Sequence, residues 1–342
     1  MSNLFVKTKA GFSGNLYVKV LKPTPQAYTD CLTFTGKTGD FTLKATSKDW
    51  DGTLEWSTDH NAWTTLAGTE AMQSANKKLY LRGKNTTLFK NEEGIMWQLS
   101  QQADCSGNIQ TLLDWENPSV IIGTSQCYSG LFYGCTNLTS APELRATTLS
   151  WGCYTAMFQG CTSLTSAPVL PATALAKYCY QGMFQDCTSL ITAPELPATT
   201  LMTYCYQGMF QGCTSLTSAP VLPATALENA CYQGMFQGCT SLITAPELPA
   251  TTLKYQCYEQ MFKGCTSLTT APELRATTLA NWCYQFMFRG CAKLKVNENV
   301  GGNKIFMCPT TIPTAAVTDM FTNTGGTFTG TPTAGNTYYW TN

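Results

Sequence analysis

From Cys127 onward the apolar residues recur in a fixed relation to one another. The segment CYQGMFQGC (205–213) places Cys205, Met209, Phe210 and Cys213 at i, i+4, i+5 and i+8. That spacing reads as one face of a short helix. Gly208 and Gly212 weaken such a helix in isolation, so packing must hold it. The next stretch, SLTSAPVLPATAL (215–227), reads as extended, with Leu216, Ala219, Leu222 and Leu227 as its inward positions. Pro220 and Pro223 cannot donate to a strand ladder, which predicts a very short strand near Leu216–Ala219 and then a turn.

The unit repeats. Cys-x7-Cys occurs seven times between Cys127 and Cys291, each copy 26 residues after the last. Self-similarity at this period predicts a solenoid in which each coil buries its apolar face against its neighbours. A parallel sheet is expected on one face and short helices on the other. At about 4.8 Å per coil the stack makes a rod of roughly 35 Å. After Cys308 the phase breaks: Met320-Phe321 follows twelve residues later, against four in the repeats. A degenerate last coil is expected there, closed by Phe328, Tyr338, Tyr339 and Trp340.

Before the repeats, period-two alternation replaces the four-residue spacing. LFVKTKA (4–10), NLYVKVL (15–21), DCLTFTG (30–36), DFTLKAT (40–46), TLEWS (53–57), AWTTL (62–66), KLYLRG (78–83) and IMWQLS (95–100) are separated by Gly, Asp and Asn. This is the pattern of an antiparallel β-sandwich. KPTPQ (22–26) reads as a stiff linker. The expected organisation is an arm and linker (1–28), a β-sandwich (29–118), and a solenoid with a C-terminal cap (119–342). The fold class is mainly β with short helices.

Composition narrows the function classes. Net charge is zero and only 12% of residues are charged, so no basic field exists to attract nucleic acid. No apolar run approaches the roughly 20 residues of a membrane span. The start, MSNLFVKTKAGFSG, lacks a secretory pattern, so the expectation is a trimmed signal or another route out of the cell. Seventeen cysteines raise the question of disulfides or metal. Eight residues of helix rise about 12 Å, too far for a bridge within a copy. A vertical ladder of seven cannot pair completely, and zinc spacing such as C-x2-C is missing from the repeats. Buried reduced thiols are expected, with no metal and no cofactor.

Enzyme signatures are missing too: there is no nucleophile elbow, P-loop, dinucleotide fingerprint or Cys-His pairing. The single histidine, His60, sits in the turn TDHN and reads as a solvated loop residue. Glu143, Val169, Glu195, Val221, Glu247 and Glu273 form a column after the strand proline. Neighbouring Glu247 and Glu273 have the closeness of a retaining glycosidase pair, but alternation with Val reads as an exposed surface column. Arg145 and Arg275 should make weak local pairs with Glu143 and Glu273. Trp50, Trp56 and Trp63 read as sandwich core rather than a sugar platform.

One triplet differs in every copy, the three residues before the first cysteine: TSQ (124–126), SWG (150–152), AKY (176–178), MTY (202–204), ENA (228–230), KYQ (254–256) and ANW (280–282). Two readings stand: an unconstrained loop that drifts, or a binding stripe. The stripe would comprise Trp151, Lys177, Tyr178, Tyr204, Glu228, Asn229, Lys254, Tyr255, Asn281 and Trp282. Exposed Tyr and Trp are favoured at binding hot spots.

CTSLTSAP (213–220) followed by CYQGMF resembles the BspA-like leucine-rich repeats of bacterial surface proteins, over about 125–330. Met-Phe stands for the family's usual Ala-Phe, the period is longer than the common one, and Ala-Pro replaces a β-branched strand pair. TLEWSTDHNAWTTL and KKLYLRGKN (53–85) look like the β-sandwich modules preceding such repeats in Bacteroides-type proteins. The resemblance implies recognition or adhesion, with a cell-surface protein or glycan as partner. It admits a bacterial surface adhesin or a phage virion appendage such as a tail fibre or tip. In the phage setting, which fits the start of the chain better, residues 1–21 would attach it to other virion proteins.

Overall fold

The computed structural model describes residues 30–48, 50–87 and 97–341. The expected arm and linker (1–28), including the runs at 4–10 and 15–21, lie outside them. The N-terminal part is strands: β1 (Leu32–Gly36), β2 (Thr42–Ala45), β3 (Thr53–Ser57), β4 (Thr64–Thr65), β5 (Ala71–Gln73), β6 (Lys78–Lys84), β7 (Trp97–Leu99) and β8 (Ala103–Ser106). They fall into a sheet of order β4-β3-β6-β1-β8, antiparallel throughout, and a three-stranded sheet β5-β2-β7. Leu32, Phe34, Leu43, Leu79, Leu81, Trp97 and Leu99 alternate inward from both sheets into one core. Period two in the sequence becomes period two in burial.

The junction with the repeats is continuous. β9 (Leu138–Ser140), in the first repeat, adds to the larger sheet by pairing parallel to β8. Phe34 meets Phe132 with ring centroids 6.3 Å apart. The 3-10 turn Ile109–Leu112, capped by Asn108 whose side chain accepts from Gln110 N–H, carries the chain across.

The expected helices are not there. That 3-10 turn is the only helical element among the described residues. CYQGMFQGC is instead a flat run of turns in which alternate N–H groups point to different places. Cys205, Gln207, Met209, Gln211 and Cys213 donate to carbonyls three residues back. Tyr204, Tyr206, Gly208, Phe210 and Gly212 donate to the next repeat, to Asn229, Cys231, Gln233, Met235 and Gln237. Every fourth residue is left-handed: φ is 59° at Tyr204, 60° at Gly208 and 73° at Gly212. Glycine enters that region without a Cβ penalty, so the residues that weaken a helix favour this turn ladder. The apolar period is therefore 4.0 rather than 3.6. It also buries the tyrosine that helical spacing leaves aside, with Tyr206 1% exposed.

The extended half is correspondingly sparse. The predicted strand shrinks to single bridged residues, Ser166, Thr192, Ser218, Thr244 and Thr270, joined in parallel at intervals of 26 positions. The prolines that follow it, such as Pro220 and Pro223 after Ser218, lack the N–H that would lengthen it. Inter-repeat backbone bonding has moved to the turn half. Inside, side chains stack in columns. Phe184, Phe210, Phe236 and Phe262 lie 5.7 Å apart with nearly parallel rings. Tyr180, Tyr206, Tyr232 and Tyr258 follow at 5.7–5.9 Å.

The C-terminal end is closed by β10 (Lys295–Glu298), β11 (Asn303–Met307), β12 (Gly325–Gly326) and β13 (Thr337–Thr341), in the order β11-β13-β10-β12. Phe321 stacks on Phe288 at 5.8 Å. Tyr338 is fully buried, while Phe328 and Trp340 pack on the core from its edge. Tyr339 is only half-buried on the sheet and does not join them.

Candidate functional surface

The left-handed position that opens each turn ladder is the last residue of the variable triplet. The backbone there runs from repeat to repeat: Gly152 N–H donates to Lys177 O (3.0 Å), Tyr178 N–H to Thr203 O (3.2 Å), Tyr204 N–H to Asn229 O (3.1 Å) and Ala230 N–H to Tyr255 O (2.8 Å). The triplets thus form one column, and their side chains meet. Trp151 and Tyr178 are 5.6 Å apart edge to face, Tyr178 and Tyr204 stack at 4.9 Å, and Tyr255 and Trp282 lie 5.1 Å apart. Glu228 and Asn229, both exposed, stand between these two aromatic groups. Lys177, Lys254 and Asn281 are exposed on the same column.

The conformation of the aromatics is informative. Tyr178, Tyr204 and Trp282 have φ of 62°, 59° and 59°. A bulky residue in this region costs about 1–2 kcal/mol. Gly152 shows that the same turn forms without such a residue. Rings are therefore held at positions where the backbone favours their absence.

Beside the aromatic column lies a second column that sequence reasoning missed. Gln181 Nε2 donates to Gln207 Oε1 (2.6 Å), Gln207 Nε2 to Gln233 Oε1 (2.5 Å), and Gln233 Nε2 to Glu259 Oε2 (2.7 Å). Glu259, 6% exposed, also accepts from Gln256 (2.6 Å) and Gln260 (3.1 Å). An acceptor-only carboxylate ends a ladder whose members each donate forward. The signal was present as Gln two places after the first cysteine in four of the seven repeats, Gln181, Gln207, Gln233 and Gln285. Where that Gln becomes Ser129 and Thr155, the shorter side chains leave a cleft of about 420 Å³ walled by Trp151 and Tyr178.

Other expected positions separate from this face. Arg145 pairs with Glu143 and Asp30, each at 2.5 Å, and Arg275 with Glu273 at 3.2 Å. Lys304 also holds Glu273, so that carboxylate is neutralised while Glu247 stays exposed. Two like groups so differently placed do not make an acid–base pair. Val169, Ile191, Val221 and Ile243 are 77, 51, 70 and 51% exposed on the extended half, an apolar strip alternating repeat by repeat. Trp50 is core and Trp56 packs at its edge. Trp63 is a correction: it lies outside the core, with the Arg82 guanidinium 4.0 Å over its ring and Trp115 on the far side at 4.2 Å. Its face is covered by a cation. His60 is also less solvated than its turn suggests, packing on Tyr80 at 4.4 Å.

The family model of the BspA type leucine rich repeat region matches residues 125–269 and 207–298 in six copies, half of the chain. The chain belongs to this family. No curated protein and no solved structure matches it. BspA-type repeats are a non-enzymatic repeat class. All seventeen cysteines are buried thiols. Burial pushes the thiols of Cys135, Cys205, Cys213 and Cys265 up to about 12, far from nucleophilic use. Cys161, Cys187, Cys213, Cys239, Cys265 and Cys291 donate S–H to a phenylalanine carbonyl of the preceding repeat at 3.0 Å. The repeat cysteines are thus filler and tie. Among the described residues no group of three His, Cys, Asp or Glu is placed to hold a metal, and no helix is long and apolar enough to cross a membrane.

Proposed function

We propose that this BspA-type protein is a recognition protein, in which a solenoid of 26-residue coils (119–342) is seated on a β-sandwich (29–118) and presents an aromatic column to a cell-surface partner. The observation that supports it best is the column of Tyr and Trp rings, three of which, Tyr178, Tyr204 and Trp282, are kept at left-handed backbone positions. Strain retained at these half-buried rings is accounted for by what the column contacts. Continuous cores at both ends make the column rigid, which lowers the entropy cost of binding. The family's bacterial surface setting supports adhesion; a phage tail fibre or tip, attached through residues 1–21, is the setting we favour. Flanking tail genes would support it, and upstream signal codons would replace it with a secreted adhesin. The direct test incubates the full chain with intact gut bacteria and with immobilised host matrix proteins. Saturable retention on the bacteria supports the phage reading, and retention on the matrix proteins supports the adhesin. Retention on neither sinks the recognition reading.

A further inference from the structure

Resting on that reading, we propose that the partner is a neutral glycan, and that it enters through the cleft between the aromatic column and the glutamine column. The cleft is lined by Gln126, Tyr133, Trp151, Gln159, Tyr178 and Gln181, together with small residues. Three features of this lining point to sugar. The first is the pairing of flat apolar faces with amides. Trp151 is 42% exposed in the cleft lining, an apolar ring of the kind that packs on the C–H face of a pyranose, while the glutamines carry donors and acceptors for its hydroxyls. The second is charge. No side chain in the lining is ionised, so an acidic polymer, a phosphate or a strongly basic segment finds no counter-ion there.

The third is direction and order. The cleft opens onto a shelf lined only by Gln and Gly, including Gln185, Gln207, Gln211, Gln233 and Gln237. Gln181 belongs to both surfaces. Its amide nitrogen is committed to Gln207, which fixes the amide plane and leaves Oε1 to accept a ligand hydroxyl. Glu259 at the far end holds the ladder in that sense. A preset array of amides is the kind of site that pays little ordering entropy on binding. The rings of Trp151, Tyr178 and Tyr204 recur at 5.6 and 4.9 Å, about one step per repeat, so a linear chain laid along the column passes one ring per repeat over these three repeats. A cleft of about 420 Å³ fits a few sugar units and lies within the range of small-ligand sites.

The test uses the full chain on an array of neutral and acidic oligosaccharides, and on intact cells treated with periodate or with protease. Binding to neutral glycans is expected, changing less than threefold between 50 and 500 mM NaCl. Trp151→Ala should weaken it at least tenfold, and Gln181→Leu about tenfold, with unfolding midpoints close to the parent's. On cells, periodate should abolish adsorption and protease should leave it. Adsorption that falls with protease and survives periodate would overturn the glycan and leave the recognition column standing. Unchanged glycan binding in Trp151→Ala would overturn the cleft. Adsorption unaffected by loss of all five rings would remove the parent reading itself.

Discussion

Gly208→Ala separates a turn ladder from a helix by the sign of its effect. In a helix interior, replacing Gly by Ala stabilises by about 1 kcal/mol. At φ = 60° the same change moves a β-carbon into the left-handed region, costing about 1–2 kcal/mol. Reduced freedom of the unfolded chain returns about 0.4–1 kcal/mol of that. The new Cβ meets only Gln211 Oε1 at 3.3 Å, the movable end of a side chain, so sterics add little. A net loss of about 0.8 kcal/mol is expected, some 2 kcal/mol from the helical value. The mirror change exists in the second repeat. Ala156 has φ of 52°, so Ala156→Gly should stabilise by a similar amount where a helix would lose. Both variants are read as urea midpoints relative to the parent, by far-ultraviolet dichroism and tyrosine fluorescence. Coincident curves are required because repeat arrays can unfold in parts. A raised midpoint in Gly208→Ala together with a lowered one in Ala156→Gly would refute the ladder.

Folded thiols in this chain hold their protons more tightly than unfolded ones, Cys283 and Cys308 to about 11 and Cys205 to about 12. Their contribution is therefore complete below the unfolded value near 8.5 and is lost as pH rises toward 11–12. Unfolding midpoints should be flat from pH 6 to 8 and fall steeply above 9, with about 1.4 kcal/mol lost per pH unit for each fully titrating thiol. Ellman titration should count almost none of the seventeen thiols before unfolding and at least fifteen after it. Tyr206 Oη is buried without a partner, so Tyr206→Phe should leave calorimetric stability unchanged or raise it by up to about 1 kcal/mol. Glu259→Leu strands three amide donors and should cost about 2–3 kcal/mol in urea titration, whereas Glu259→Gln keeps an acceptor and should cost under about 1.

Repetition itself was legible because 26 residues separate every equivalent pair, and the same interval joins Ser166 to Thr192 and Ser218 to Thr244 in space. The strands at 32–36, 53–57 and 78–84 followed from alternation alone. The turn half was misread because positions i, i+4, i+5 and i+8 satisfy a helix nearly as well as a period of four. The glycines at 208 and 212 and the burial of Tyr206 decide between them. Glycine was read as a helix weakener, although it supplies the left-handed turn. The cap strands β10 and β11 escaped because Asn297, Glu298, Asn303 and Lys304 break any alternation. The triplet column was visible as the place where copies differ. Its glutamine neighbour was not, because a polar residue shared by four of the seven repeats reads as structure. Only the cross-repeat bonds from Gln181 to Glu259 show an ordered surface.

The account rests on the aromatic column, and adsorption of a five-residue variant to intact cells tests it most directly. Trp151, Tyr178, Tyr204, Tyr255 and Trp282 are replaced together by Ser in the full chain, with dichroism and the urea midpoint confirming the fold. Cell binding reduced at least a hundredfold at unchanged stability is the predicted result. Binding equal to the parent's would make the column a drifting loop, and the protein a spacer.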